Sequence, residues 1–220
     1  MTQFVEITAS KFSLARRKPL KGVGINDANY MVKLLVDGKK TYCPYYTAWS
    51  SMIDRCYGGR LQQRRPTYIG CSVVDEWLTF SNFKEWMKNQ DWKGKHLDKD
   101  VLRYGNKTYS PSNCIFISSA LNNLIVTRVN SKGVYPQGVC LESYTGKYLA
   151  SCGVGGKYKN LGRFDSVQEA ELAYLKFKSE VIRKTAYEQE ALSNQKIQEG
   201  LLRHADVFMD KAIAIEENLK

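Results

Sequence analysis

The chain has 220 residues, enough to bury a core in one domain or two small ones. Lys and Arg outnumber Asp and Glu by 33 to 22, a net charge of +11, and 14 Tyr within 12 % aromatics exclude a wholly disordered chain. No run of 18 apolar residues marks a transmembrane helix, and the opening Met1-Thr2-Gln3-Phe4-Val5-Glu6 lacks the basic-then-apolar layout of a secretory signal, so a cytoplasmic protein without a membrane partner is expected.

Residues 1–21 hold Arg16, Arg17 and Lys18 with little periodicity and read as a flexible basic arm able to track phosphates. Residues 30–36, Asp37-Gly38 and residues 39–42 form a hairpin signal, because Asp-Gly suits a two-residue turn. Pro44 then opens a helix whose Trp49, Met52, Ile53 and Cys56 recur at helical spacing as a core stripe. Residues 58–66 read as a loop carrying Arg60, Arg64 and Arg65, which could meet phosphates. A short strand near 68–74 leads to a second helix lined by Phe80, Phe83, Trp86 and Met87. Residues 97–125 give a strand-like start, a Gly105-Asn106-Lys107 turn, a Ser110-Pro111 turn, the apolar run 114–117 and a helix near 118–126, a β-β-α order. Residues 130–136 look like a linker, which makes 22–130 one mixed module.

Residues 131–184 form the next expected domain. Strands are expected over 134–141, 147–152 and 157–162, with Gly153, Gly155 and Gly156 in the second turn. Ser166-x-x-Glu169 is a capping box, and Ala170, Ala173, Tyr174, Phe177 and Val181 follow at helical spacing to pack on one sheet face. The other face is left free and mostly polar. Residues 185–220 add one or two helices with an apolar stripe of Leu201, Leu202, Ala205, Phe208, Met209, Ala212 and Ile213, which either folds back on the body or pairs with a second copy as a homodimer. The fold class expected is therefore α+β.

Charge is uneven. Residues 1–130 hold 20 basic and 10 acidic side chains, residues 131–184 hold 9 and 5, and residues 185–220 hold 4 and 7. The polyanion footprint thus belongs to the first two stretches. The six Cys, at 43, 56, 71, 114, 140 and 152, show no metal-ligand spacing and read as small buried hydrophobes, with convergence of the first four on zinc as the alternative.

Over residues 133–184, Gly138-Val139, Gly146-Lys147-Tyr148-x-Ala150, Leu161-Gly162-x-Phe164 and Glu169-Ala170 with Ala173-Tyr174 together resemble the apetala-type (AP2-like) DNA-binding domain. That resemblance implies a three-stranded sheet in the major groove, read out by arginines on its outer face. Here Cys140, Glu142, Ser151 and Gly153 hold the matching places, while Lys147, Lys157 and Lys159 keep positive charge for phosphate contact. Leu97-Asp98-Lys99-Asp100, Tyr109-Ser110-Pro111-Ser112-Asn113-Cys114 and Asn122-Asn123 resemble the HNH-like region of phage proteins that carry such sheets. A working HNH nuclease implies a water-activating histidine and a metal ion. Of the two histidines, His204 reads as structural and His96 is left as the base. Asp98 and Asp100, two apart on one strand face, would bind Mg²⁺, with Asn113 or Asn122 completing or orienting the site.

Three readings follow. The first is a double-stranded-DNA-binding protein of phage or mobile-element type, catalytically degenerate and needing no cofactor to bind. The second is a Mg²⁺-dependent homing-type or nicking endonuclease. The third is a phage factor that binds and inhibits a host protein, for which the absence of outer-face arginines leaves room.

Overall fold

The structure, a computed structural model, describes residues 4–36, 38–126 and 134–219. It is a mixed α+β fold with an N-terminal β/α region, a C-terminal three-stranded antiparallel sheet and C-terminal helices. The chain divides into two compact units, residues 1–99 with 107–116, and residues 100–106 with 117–220. The β-β-α piece read over 97–125 is thus shared between units rather than lying inside one module ending at 130. Most of the expected linker, residues 130–133, lies outside the described residues.

The first unit begins with α1 (Lys11–Ala15), capped by the Ser10 side chain, which accepts from the Ser13 amide. The basic stretch expected as a flexible arm contains this helix. Thr8 bridges to Tyr30 and Leu20 to Gly24. The hairpin follows as β1 (Lys33–Val36) and β2 (Lys39–Tyr42), antiparallel. Helix α2 (Pro44–Tyr57) starts at a proline, whose missing N–H costs nothing in a first turn. Residues 58–66, read as a loop, mostly form α3 (Gly59–Arg64), and a 3-10 turn follows at Pro66–Tyr68. Strand β3 (Ser72–Val73), α4 (Asp75–Leu78) and α5 (Phe80–Lys88) come next. Strand β4 (His96–Asp98) pairs with β6 (Ile115–Ile117), and β5 (Thr108–Tyr109) runs parallel to β3.

Aromatic packing builds this core. Trp49, Trp77, Phe80 and Phe83 are fully buried, and Trp77 lies 5.0 Å edge-on from Phe83 and 4.5 Å from Trp86 between centroids. Trp49 Nε1 donates to the Trp77 carbonyl at 2.7 Å, so the largest side chain of α2 satisfies its only polar atom inside the core.

In the second unit, α6 (Ser119–Ile125) is capped by Ser118. The sheet runs β7 (Val139–Glu142), β8 (Lys147–Val154), β9 (Lys157–Phe164), in that order and antiparallel throughout. Strand β7 starts five residues later than expected, because Gly138 sits at φ +85°. Its missing side chain is also required for space, since a Cβ there would come within 2.1 Å of the Tyr174 ring. Helix α7 (Val167–Thr185) opens with the expected Ser166–Glu169 capping box. It covers one sheet face through Val139, Ala150 and Ala170. Helices α8 (Gln189–Leu192) and α9 (Gln195–Asn218) complete the unit. The α9 stripe is used within the chain: Leu201, Ala205, Phe208 and Ala212 are buried, and Ser179 of α7 donates to the Ala205 carbonyl at 2.7 Å. The surface expected for a homodimer is to that extent already covered.

Helix α9 also fastens the 100–106 segment. His204 Nε2 lies 2.8 Å from the Asp100 carbonyl, Arg203 donates to the Leu102 carbonyl at 3.3 Å, and Lys211 reaches the Tyr104 hydroxyl at 2.8 Å. Gly200 lets Val101 approach so closely that a Cβ would stand 2.2 Å from its carbonyl oxygen.

Candidate nucleic-acid interface

Strand β4 holds two of the residues expected to act on DNA, His96 and Asp98. His96 is exposed, Leu97 and Asp98 are buried, and the strand ends at Asp98. Asp100 lies past it in the segment that belongs to the second unit, so a two-residue strand period does not relate the two carboxylates. Asn113 belongs to the first unit, where its amide donates to the Ser110 carbonyl and hydroxyl, both at 3.2 Å, closing the Ser-Pro turn. Asn122 belongs to the second, within α6.

What gathers around β4 is a set the sequence reading did not include. Arg55, at the edge of the α2 stripe, donates to the Leu97 carbonyl at 3.2 Å and to the Tyr109 hydroxyl at 3.5 Å, and its guanidinium lies 5.7 Å from the Tyr68 ring. Burial works against its charge, but Tyr109, Tyr68 and Asp98 more than offset this, so its pKa is raised. Lys99 is buried as well, with its ammonium 6.0 Å from the Tyr109 ring. Burial pushes the Tyr109 hydroxyl upward despite Arg55, so it stays protonated. Asp98 thus sits within reach of the Arg55 charge. These residues do not fit a Mg²⁺ site, which needs an oxygen-rich shell with room for water. Among the described residues no group of three or more His, Cys, Asp or Glu could hold a metal ion. Cys43, Cys56, Cys71 and Cys114 are buried, and burial, with Cys71 beside it, pushes the Cys56 thiol up to about 12. They pack among the apolar residues of the first unit's core.

The expected phosphate-contact residues fall into three groups. Arg17 is structural: it donates to the carbonyls of Asn26 (3.1 Å), Tyr30 (2.8 Å) and Ala28, so its fork is used in tying down the 26–30 turn. Arg16, over the Phe12 ring at 4.6 Å, and Lys18 remain exposed. Arg60 and Arg64 on α3, with Arg65 as its C-cap, are exposed and have no acidic partner among the described residues.

On the sheet, directly paired residues share a face. Cys152 is buried under α7, its partner is Lys159, and the Lys159 ammonium lies 4.6 Å from the Phe177 ring of α7. Lys159, and Lys157 two positions before it, therefore belong to the helix side and not to the outer face. The outer face carries Cys140, Glu142, Lys147, Ser151 and a residue the sequence reading missed, Arg163. Arg163 pairs in two-pronged fashion with Glu142, at 2.7 and 2.8 Å, and donates to the Tyr144 hydroxyl at 3.3 Å. The Arg163 hydrogen bonds hold the Glu142 carboxyl down at about 2. Lys147 pairs with Asp165 at 3.1 Å. Arg163 was findable: it immediately precedes Phe164 in the Leu161-Gly162-x-Phe164 run and pairs with Leu149.

Compared with protein-family models, with curated proteins and with solved structures, the chain matches none of them. Among the described residues no helix is long and apolar enough to cross a membrane.

Proposed function

We propose that this protein binds double-stranded DNA through exposed cations and does not cleave it. The observation that carries this reading is the unpaired arginine group Arg60, Arg64 and Arg65 on one short helix and its cap, in a chain of net charge +11. Arginine forks held apart from acids suit phosphate oxygens, and attraction to a polyanion adds over many charges. Arg16 and Lys18 extend the exposed cations of the first unit. The outer sheet face, with Arg163 committed to Glu142, supports weak or no base reading by that arginine. The buried setting of Asp98, with the Arg55 charge in reach, supports a scaffold without metal chemistry. In this reading the likeness to phage HNH-like proteins with an AP2-like sheet is one of layout.

The test is a gel-shift and cleavage assay on mixed-sequence duplex. Binding that persists in EDTA, with no nicked or linear product in Mg²⁺ or Mn²⁺, is the expected result. Metal-dependent cleavage abolished by Asp98→Ala would establish the nuclease reading instead.

A further inference from the structure

The β1–β2 ribbon is the part of the first unit whose surface chemistry remains unused. Its register pairs Lys33 with Tyr42, Leu34 with Thr41, Leu35 with Lys40 and Val36 with Lys39. Opposed residues in an antiparallel pair share a face, so Leu34 and Thr41, both half-buried, mark the inward side. The outward side presents Lys33, Tyr42, Leu35 and Lys40 together. Leu35 is 70 % exposed and Tyr42 46 %, and the Lys33 ammonium lies 5.4 Å from the Tyr42 ring. At the tip even the other side is open, with Val36 45 % exposed beside Lys39. None of the three lysines has an acidic partner among the described residues; Asp37, the one acid of the segment, lies outside them.

A two-stranded ribbon alone is marginal in water, and leucine and valine at its tip gain nothing from exposure. Lysines flanking an apolar and aromatic centre match the chemistry of a DNA groove, where phosphates line the edges and base edges with thymine methyls form the floor. The major groove, about 12 Å wide, admits a two-stranded β-ribbon. An acidic protein surface would satisfy the lysines equally but supplies no such slot for a narrow ribbon.

We infer that the β1–β2 ribbon is a DNA-contacting element, seated in the major groove with Lys33, Lys39 and Lys40 on phosphates and Leu35 and Tyr42 toward the base edges. This rests on the duplex-binding reading above, and it assigns a site that neither the basic arm nor the sheet accounts for.

The experiment compares the full chain with Lys33→Gln/Lys39→Gln/Lys40→Gln and with Leu35→Asp, using fluorescent mixed-sequence duplex over a salt series. Far-UV circular dichroism and tryptophan fluorescence confirm that both variants fold. The lysine variant should lower the slope of log affinity against log salt by about 0.9 for each lost phosphate contact, up to about 2.7 for three. Leu35→Asp should weaken binding about tenfold or more. Methyl green, a major-groove ligand, should compete with the wild-type protein, whereas netropsin, a minor-groove ligand, should not. Wild-type affinity and slope in the lysine variant, with the wild type binding DNA, would overturn the ribbon inference alone. Poly-L-glutamate binding as tight as duplex binding, and weakened equally by Leu35→Asp, would also overturn it. A wild-type protein that binds no duplex at low salt would overturn both readings.

Discussion

The two units bury their surfaces in different ways. In the first, large rings fill the space: Trp49, Trp77, Phe80 and Phe83 are fully buried and touch one another in tilted and edge-on geometry. In the second, close approach does the work. Ala150 and Ala170 meet where α7 covers the sheet, Gly138 lies against the Tyr174 ring, and Gly200 lies against the Val101 carbonyl. The first unit should therefore be sensitive to lost volume and the second to added volume. The four tryptophans, at 49, 77, 86 and 92, all belong to the first unit, so their fluorescence reports it separately. The long helices α7 and α9 dominate the far-UV signal of the second.

The largest effect expected is from Trp49→Ala, which removes a fully buried ring and leaves the Trp77 carbonyl without its donor. A loss of about 3–5 kcal/mol is expected in the tryptophan-monitored urea transition. An effect below 1 kcal/mol would mean that the ring cluster is not what holds the unit.

Gly200→Ala should come next, at about 1–3 kcal/mol of destabilisation from overpacking against backbone. Its sign is the informative part. In an open helix the same change stabilises by about 1 kcal/mol. The far-UV transition should move to lower urea while tryptophan fluorescence holds its midpoint. A stabilised variant would show that the 100–106 segment is not held against α9.

The smallest effect is one of pH. A carbonyl can only accept, so His204 donates through Nε2 to Asp100 and leaves Nδ1 bare, buried and without a partner. Burial lowers the His204 pKa, which the contact with the Asp100 carbonyl opposes and Arg203 reinforces. The unfolded chain then takes up a proton below about 6.5 that the folded one refuses, so the second unit loses stability as pH falls through that value. The Glu142–Arg163 pair acts in another window. With the Glu142 carboxyl at about 2, its contribution is present above about 4.3 and disappears as pH falls through about 2. Far-UV urea midpoints should therefore drop between pH 7 and pH 5 in the wild type and much less in His204→Gln, which keeps a donor for Asp100. Equal slopes in the two proteins would remove His204 from the account.

Most of this architecture was legible where the pattern is local. Asp-Gly between two short runs gave the hairpin, the helical spacing of Trp49, Met52, Ile53 and Cys56 gave the buried face of α2, and Ser166-x-x-Glu169 gave the start of α7. What was not legible depends on partners distant in sequence. Arg17 looks like any other arm cation until three carbonyls from residues 26–30 surround it. Asp100 looks like the strand neighbour of Asp98 until α9, a hundred residues later, draws its segment into the other unit. Lys157 and Lys159 looked outward because the strand was read without its register, whereas pairing with Val154 and Cys152 turns them toward α7. The candidate site shifted for the same reason: the motif marked Asp98, but Arg55, whose charge reaches it, comes from helix α2.

The most direct test of the account is the salt dependence of duplex binding in EDTA for the wild type and for Arg60→Gln/Arg64→Gln/Arg65→Gln. The wild type should bind mixed-sequence duplex with affinity that falls steeply as salt rises. The variant should bind more weakly, with a log–log slope shallower by about 0.9 for each lost phosphate contact. Identical affinity and slope in the two proteins, or no binding by the wild type at low salt, would contradict the account.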